Sequence, residues 1–280
     1  MDLRNWIGRK TEAEDMVTPR LIHGFRATLA PHLGDFDAAS VPLGIHWCLA
    51  PEMVEAAKLN SDGHPARGDF LPPVPLPRRM WAGSDIEFIA PLNVWDRVRR
   101  RSVVDNIVEK TGKSGPLCFV TVLHEVENER GLAVRERQTI VYRAAAEAGK
   151  DQPQAAPAIA EPAAEREWSI VVDPVLLFRY SALTFNGHRI HYDALYVTEV
   201  EHYPGLVIHG PLQATILLNL ATSIQGSAPK AFSFRGVAPA TGSQVLRARS
   251  MPMSNDVREL IMVAADGMTV MKASATWSPL

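Results

Sequence analysis

The chain has 280 residues, 46% hydrophobic and 21% charged, the balance of a folded protein with one large domain or two small ones. A net charge of -2 provides no basic field to hold a polyanion, so nucleic acid is not expected as a partner. No run approaches the roughly 18 apolar residues of a membrane span, the first ten residues lack an apolar leader, and Cys48 and Cys118 lie in apolar surroundings that suit free buried thiols; the expectation is a cytoplasmic protein away from membranes.

In chain order, residues 14–30 predict a helix that starts at Thr18 and Pro19. Residues 63–83, G-H-P-A-R-G-D-F-L-P-P-V-P-L-P-R-R-M-W-A-G, carry five prolines and read as a rigid extended loop of the kind that borders a site. Four strands are expected at 85–92, 101–110, 116–126 and 132–143. T-G-K-S-G at 111–115 lacks the upstream glycine of a phosphate loop at Ile107 and reads as a hairpin turn. Residues 144–165 are rich in Ala, Pro and Glu and read as a linker.

Beyond it, W-S-I-V-V at 168–172 predicts a strand, and Asp173-Pro174 opens a helix. Residues 211–224 start with Pro and are apolar over most of the helical circumference, so that helix must be buried nearly all round. Four late strands, at 230–237, 243–250, 257–265 and 268–277, alternate and are joined by short turns, which predicts an antiparallel meander wrapped round one helix. The fold class read from this is α+β, a double hot-dog with two curved antiparallel sheets, each wrapping a helix. The expected domains are 1–143 (degenerate, substrate-binding), the linker 144–165, and 166–280 (catalytic).

Two motif groups stand out: F-L-P-P-V-P-L-P-R-R-M-W-A-G in the first half, and F-R-Y-S-A-L-T-F-N-G-H-R-I-H-Y-D with Y-P-G-L-V-I-H-G-P-L in the second. Over nearly the whole chain these resemble the MaoC-like double hot-dog dehydratases, in the branch of the mesaconyl-C(4)-CoA hydratases and the mitochondrial-type 3-hydroxyacyl thioester dehydratases. The family's catalytic His is matched by His191. The Asp that the family's R-specific enoyl-CoA hydratases carry five residues earlier is replaced here by Asn186, and the Asn between them by His188, so the sequence departs from the pattern at the second acid/base position. The resemblance implies a hydro-lyase acting on an acyl-CoA thioester, with an oxyanion hole at the helix start at Gly210 and no cofactor.

Hydration of an enoyl thioester needs a base for water, a proton for the α carbon and a polariser of the carbonyl. His191 suits the first task because imidazole titrates near neutrality. Asn186 cannot exchange protons but can orient water, Asp193 could set the imidazole tautomer, and His188 is the rival base. Gly210, before Pro211, allows close approach to free helix N–H groups. His209 reads as a hydrogen bonder at the helix start. For substrate binding, Arg189 could pair with an acyl carboxylate or with a neighbouring acid. Arg99, within the run at 97–101, and Arg78 and Arg79 could reach coenzyme A phosphates or lie solvated. Trp81, with Trp47 and Phe70, would set pocket depth. His188 and His191 have no third metal ligand at diagnostic spacing, so no metal is expected. A thioesterase would need a carboxylate base, with Glu199 and Glu201 the nearby choices. The same residues also suit a medium or long-chain 3-hydroxyacyl-ACP/CoA dehydratase or a non-catalytic acyl-CoA-binding protein. Whether the chain forms a homodimer stays open.

Overall fold

The computed structural model describes residues 2–34, 40–112, 115–144 and 163–278. Its ten strands are β1 (Lys10–Met16), β2 (Arg78–Phe88), β3 (Arg97–Gly112), β4 (Gly115–Asn128), β5 (Gly131–Arg143), β6 (Arg166–Val172), β7 (Ala231–Gly236), β8 (Gln244–Ser250), β9 (Val257–Val263) and β10 (Thr269–Thr276). They form one sheet in the order β1-β3-β4-β5-β2-β7-β10-β9-β8-β6. The order β1-β3-β4-β5-β2 is repeated by β6-β8-β9-β10-β7, and the two runs join where β2 pairs antiparallel with β7. Helices α1 (Pro19–Leu29) and α2 (Pro174–Leu183) follow the edge strands β1 and β6, which makes the chain an internal duplication, the double hot-dog arrangement.

Local chemistry sets the helix starts. Thr18 Oγ1 accepts from the Leu21 N–H at 3.2 Å, and Asp173 Oδ1 from the Leu176 N–H at 2.8 Å, each ahead of a first-turn proline that lacks the donor a helix start cannot use. Helix α3 (Gly210–Gln225) is buried continuously from Leu212 to Thr222. It packs on β6 to β10 and on β2, against buried Leu246, Ala248, Leu260, Met262, Ala273 and Ala275. Two of its hydroxyls bond within the helix: that of Thr215 donates to the Pro211 carbonyl at 2.8 Å and that of Thr222 to the Leu218 carbonyl at 2.7 Å.

The two halves differ in how they fill their sheets. In the first, among the described residues, no long helix stands where α3 stands in the second; residues 30–77 are divided by eight prolines, which disfavour a helix of that length. The place holds a 3-10 turn, Ile45–Cys48, pressed against α3 so closely that a Cβ on Gly44 would come within 3.0 Å of the Thr215 side chain. Trp6, Leu3 and Val74 pack instead on Val104, Val120, Val122 and Tyr142. The rest of the concave face stays open.

Strand β1 is absent from the sequence reading because K-T-E-A-E-D-M has no apolar period. Its partner supplies the reason it pairs: Glu12 lies opposite Arg101, and Glu14 opposite Arg99, cross-strand charge complementarity on an edge that charge also protects from further pairing. Gly112 pairs with Gly115 as β3 turns into β4; the turn residues 113–114 and most of the expected linker, 145–162, lie outside the described residues.

Candidate active site

A cavity of about 1510 Å³ is lined by both halves of the sheet, the first turn of α3 and the loops before it. His191 sits in it on a 3-10 turn, Arg189–His191. Its Nδ1–H donates to the Val207 carbonyl at 2.7 Å. This fixes the tautomer and leaves the Nε2 lone pair uncommitted. Burial, partly opposed by that carbonyl, lowers the pKa to about 4, so the ring is neutral at pH 7. His209 stacks on it with centroids 3.6 Å apart at 17°, and His209 Nε2 bonds Ser181 Oγ at 2.8 Å.

His188 stands edge-on to His191 at 5.5 Å and is held far below its ordinary pKa by burial and by His64. Asn186 Oδ1 accepts from the His188 N–H at 3.0 Å, so its oxygen shapes the loop while the side chain still lines the cavity. Gly210 also lines it; a Cβ there would meet nothing nearer than 3.9 Å, which leaves room for a ligand oxygen at the start of α3, where helix N–H groups lack intrahelical partners.

The sequence reading missed two groups. His64 lines the same cavity, its ring 3.9 Å from that of His188. Its Nδ1 lies 3.0 Å from Asp62 Oδ2, so the carboxylate accepts the ring proton and Nε2 is bare, the orientation an Asp gives a His in hydrolase triads. Burial and the Arg79 guanidinium lower this His to about 4. The loop is fastened across the halves: the Arg189 N–H donates to the Asp62 carbonyl at 2.9 Å, Arg189 Nη1 to the Ser61 carbonyl at 2.9 Å, and a Cβ on Gly63 would fall 1.9 Å from the Gly187 carbonyl oxygen. Only the Asp-Gly-His triplet was visible in the sequence; its partner lies more than 120 residues away.

The four arginines fare differently. Arg189 is not on the cavity wall; its Nη2 and Nε reach Asp193 Oδ2 at 2.8 and 3.0 Å, and it closes the loop, so Asp193 serves Arg189 and the Val207 carbonyl sets the His191 tautomer. Arg99 faces away and pairs with Glu127 at 2.9 Å, because strand alternation puts 97, 99 and 101 on the outer side. Arg78 lines the cavity but is bound to Glu201 at 3.0 Å, which also occupies that carboxylate; Glu199 is exposed and off the wall. Arg79 lines the cavity with no carboxylate within 4.0 Å among the described residues. Trp81 lines it with Trp47 and Phe70, its Nε1 donating to Ser84 Oγ at 2.9 Å. For a metal, Asp62, His64 and His188 present ligand atoms within 4.8 Å of one another, but the Asp62 oxygen is already the acceptor of His64 Nδ1. Among the described residues no helix is long and apolar enough to cross a membrane.

Fold and site define a double hot-dog of the MaoC-like type: a solved MaoC-like dehydratase superposes with a TM-score of 0.72 at 12% identity, covering 99% of this chain and 100% of its own. A second, from Phytophthora capsici, gives 0.69 at 14%, covering 99% and 98%. The hydroxyacyl-thioester dehydratase type 2 family matches residues 44–242, and the chain belongs to that family. It is 42% identical to a mesaconyl-C(4)-CoA hydratase of Chloroflexus aurantiacus over 98% of this chain and 97% of that one. It is 27% identical to a mitochondrial hydroxyacyl-thioester dehydratase type 2 of Schizosaccharomyces pombe over 85% and 89%.

Proposed function

We propose that the chain is a hydro-lyase that reversibly adds water to an enoyl-CoA thioester, as its hydratase and dehydratase relatives are named to do. The observation that carries the reading is the His191 tautomer: Nδ1 is committed to Val207 and Nε2 is a neutral base inside a cavity that ends at a helix start. In hydration, His191 Nε2 takes a proton from water as the water oxygen bonds to the β carbon. The thioester carbonyl, held at the Gly210 amide, takes up the developing negative charge. The same proton then passes to the α carbon, so one imidazole serves as base and acid. The Asn186 amide orients the water. His188 and the Asp62-backed His64 line the path of that proton.

The remaining parts divide by half. Residues 166–280 carry the chemistry and residues 1–143 the substrate wall, in which Trp81, Trp47 and Phe70 bound the acyl group and Arg79 meets anionic groups of the substrate. The β2–β7 junction already supplies within one chain the pairing of two hot-dogs, so a homodimer is not required for the site. The test follows the enoyl-thioester absorbance with mesaconyl-C(4)-CoA and crotonyl-CoA, with a thiol reagent in parallel. Loss of the band without free thiol is expected; thiol release would mean a thioesterase, and no change in either channel a binding protein.

A further inference from the structure

Within the 97–101 run, Arg100 is the member that strand alternation turns inward, onto the cavity wall. Its Nη2 donates to His124 Nδ1 at 3.2 Å. The Ser102 hydroxyl reaches the same nitrogen at 2.7 Å, and His124 Nε2 lies 3.2 Å from Gln138 Oε1. An acceptor Nδ1 puts the ring proton on Nε2, so His124 is a neutral imidazole and cannot compensate the guanidinium's charge. Among the described residues no carboxylate lies within 4.0 Å of Arg100. The acids that act on it at longer range are Glu136 and Glu52. Glu136 is occupied by Trp47 Nε1 at 3.0 Å and Ser84 Oγ at 2.5 Å, and burial pushes it up, toward its neutral form. Glu52, on the same wall, is pushed up as well by burial, against the pull of Arg79 and Arg100.

A guanidinium partly withdrawn from water, beside a neutral ring and with no carboxylate in contact among the described residues, is left short of a counter-charge. Its orientation is recovered by a planar anion that can accept two N–H bonds. Ser102 and Gln138 stand beside it on the wall. In the second half α3 covers the strand face, and the arginine buried there, Arg258, is met by Glu165, whereas Arg100 has no carboxylate in contact among the described residues.

We propose that Arg100 is the specificity residue for a carboxylate on the far end of the acyl group, so that the site takes dicarboxylic acyl thioesters in preference to neutral ones. The proposal rests on the acyl-CoA reading above, and its test separates the two. Succinyl-CoA and butyryl-CoA have no double bond to hydrate, and their affinities are measured by titration calorimetry with the wild type, Arg100→Met and Arg100→Lys, beside hydration rates on mesaconyl-C(4)-CoA and crotonyl-CoA. The wild type is expected to bind succinyl-CoA at least about 10-fold more tightly than butyryl-CoA, and to show the same preference in kcat/KM for the carboxylated substrate. Arg100→Met should abolish the preference while keeping crotonyl-CoA hydration within about 3-fold, and Arg100→Lys should restore part of it as a point charge without the fork. No wild-type preference, a preference that survives Arg100→Met, or equal loss toward both acyl classes in folded Arg100→Met and Arg100→Lys overturns the assignment. Preference in binding without hydration of either enoyl thioester keeps the subsite and overturns the hydratase reading instead.

Discussion

The two halves of this chain share one strand order and use it oppositely. Where α3 crosses the sheet, the facing residues are Leu246, Ala248, Leu260 and Met262, all fully buried. Where no helix crosses it, the corresponding wall carries Arg100, Ser102, His124 and Gln138, and a cavity takes the helix's place. The half without a central helix has a wall that need not be apolar, because side chains facing an open cavity keep access to water, whereas a charge under a packed helix must be paired, as Arg258 is by Glu165. The proposed catalytic site draws on both: His191 and His188 come from the half with the central helix, and Asp62 and His64 from the half without it.

That contrast can be broken at its strongest point first. Leu217→Ala removes a fully buried side chain from α3 and should cost about 2–5 kcal/mol of unfolding free energy, read from urea titration; a cost below about 1 kcal/mol would mean that the helix is not the core of its half. His191→Ala should lower kcat by about 10² or more with the fold retained by circular dichroism. Activity near wild type in that variant would transfer the base to His188 or His64. The seam between the halves is probed by Gly63→Ala, which drives a Cβ into the Gly187 carbonyl at a φ of 87°. It should destabilise by about 1–3 kcal/mol and depress kcat, since the loop holding Asp62 and His64 must move.

Smaller effects sharpen the comparison. His46, His64 and His191 are lowered to about 3, 4 and 4 by burial, below the ordinary value near 6.5. Between those limits the unfolded chain binds protons that the native fold does not, so these groups favour the fold fully above about pH 6.5 and less as the pH falls toward 4. A urea midpoint that drops from pH 7.5 to pH 5 is the expected result; an unchanged midpoint would show that the rings are solvated. The smallest change is expected from Arg99→Ala. Its pair with Glu127 is solvent-exposed and screened, so the urea midpoint and kcat/KM should both stay at the wild-type values.

Much of this was legible in the residues. Thr18-Pro19, Asp173-Pro174 and the all-round apolar run at 211–224 announced the three helices, because capping and burial leave local marks. The meanders were legible for the same reason, alternation being a property of one strand, except that β2 begins at Arg78, inside the stretch read as an extended loop, and ends at Phe88. Strand β1 was not, since its partner's arginines rather than its own composition hold it. His191, Asn186, His188 and Gly210 do meet at one cavity, as two motifs close together in the chain suggested.

What the chain alone determined, then, is whatever depends on near neighbours along it: element type, the start of α3, the histidine motif and the likeness to its family. What only the tertiary structure decided is pairing across distance. It turned Arg100 inward and Arg99 outward, bound Arg189 to Asp193 and Arg78 to Glu201, gave the His191 tautomer to the Val207 carbonyl, and brought Asp62 and His64 to His188 across the seam. Charges and hydrogen bonds are satisfied by whichever group is closest in space, and closeness in space is set by the sheet, whose β2–β7 junction joins residues that stand about 150 positions apart.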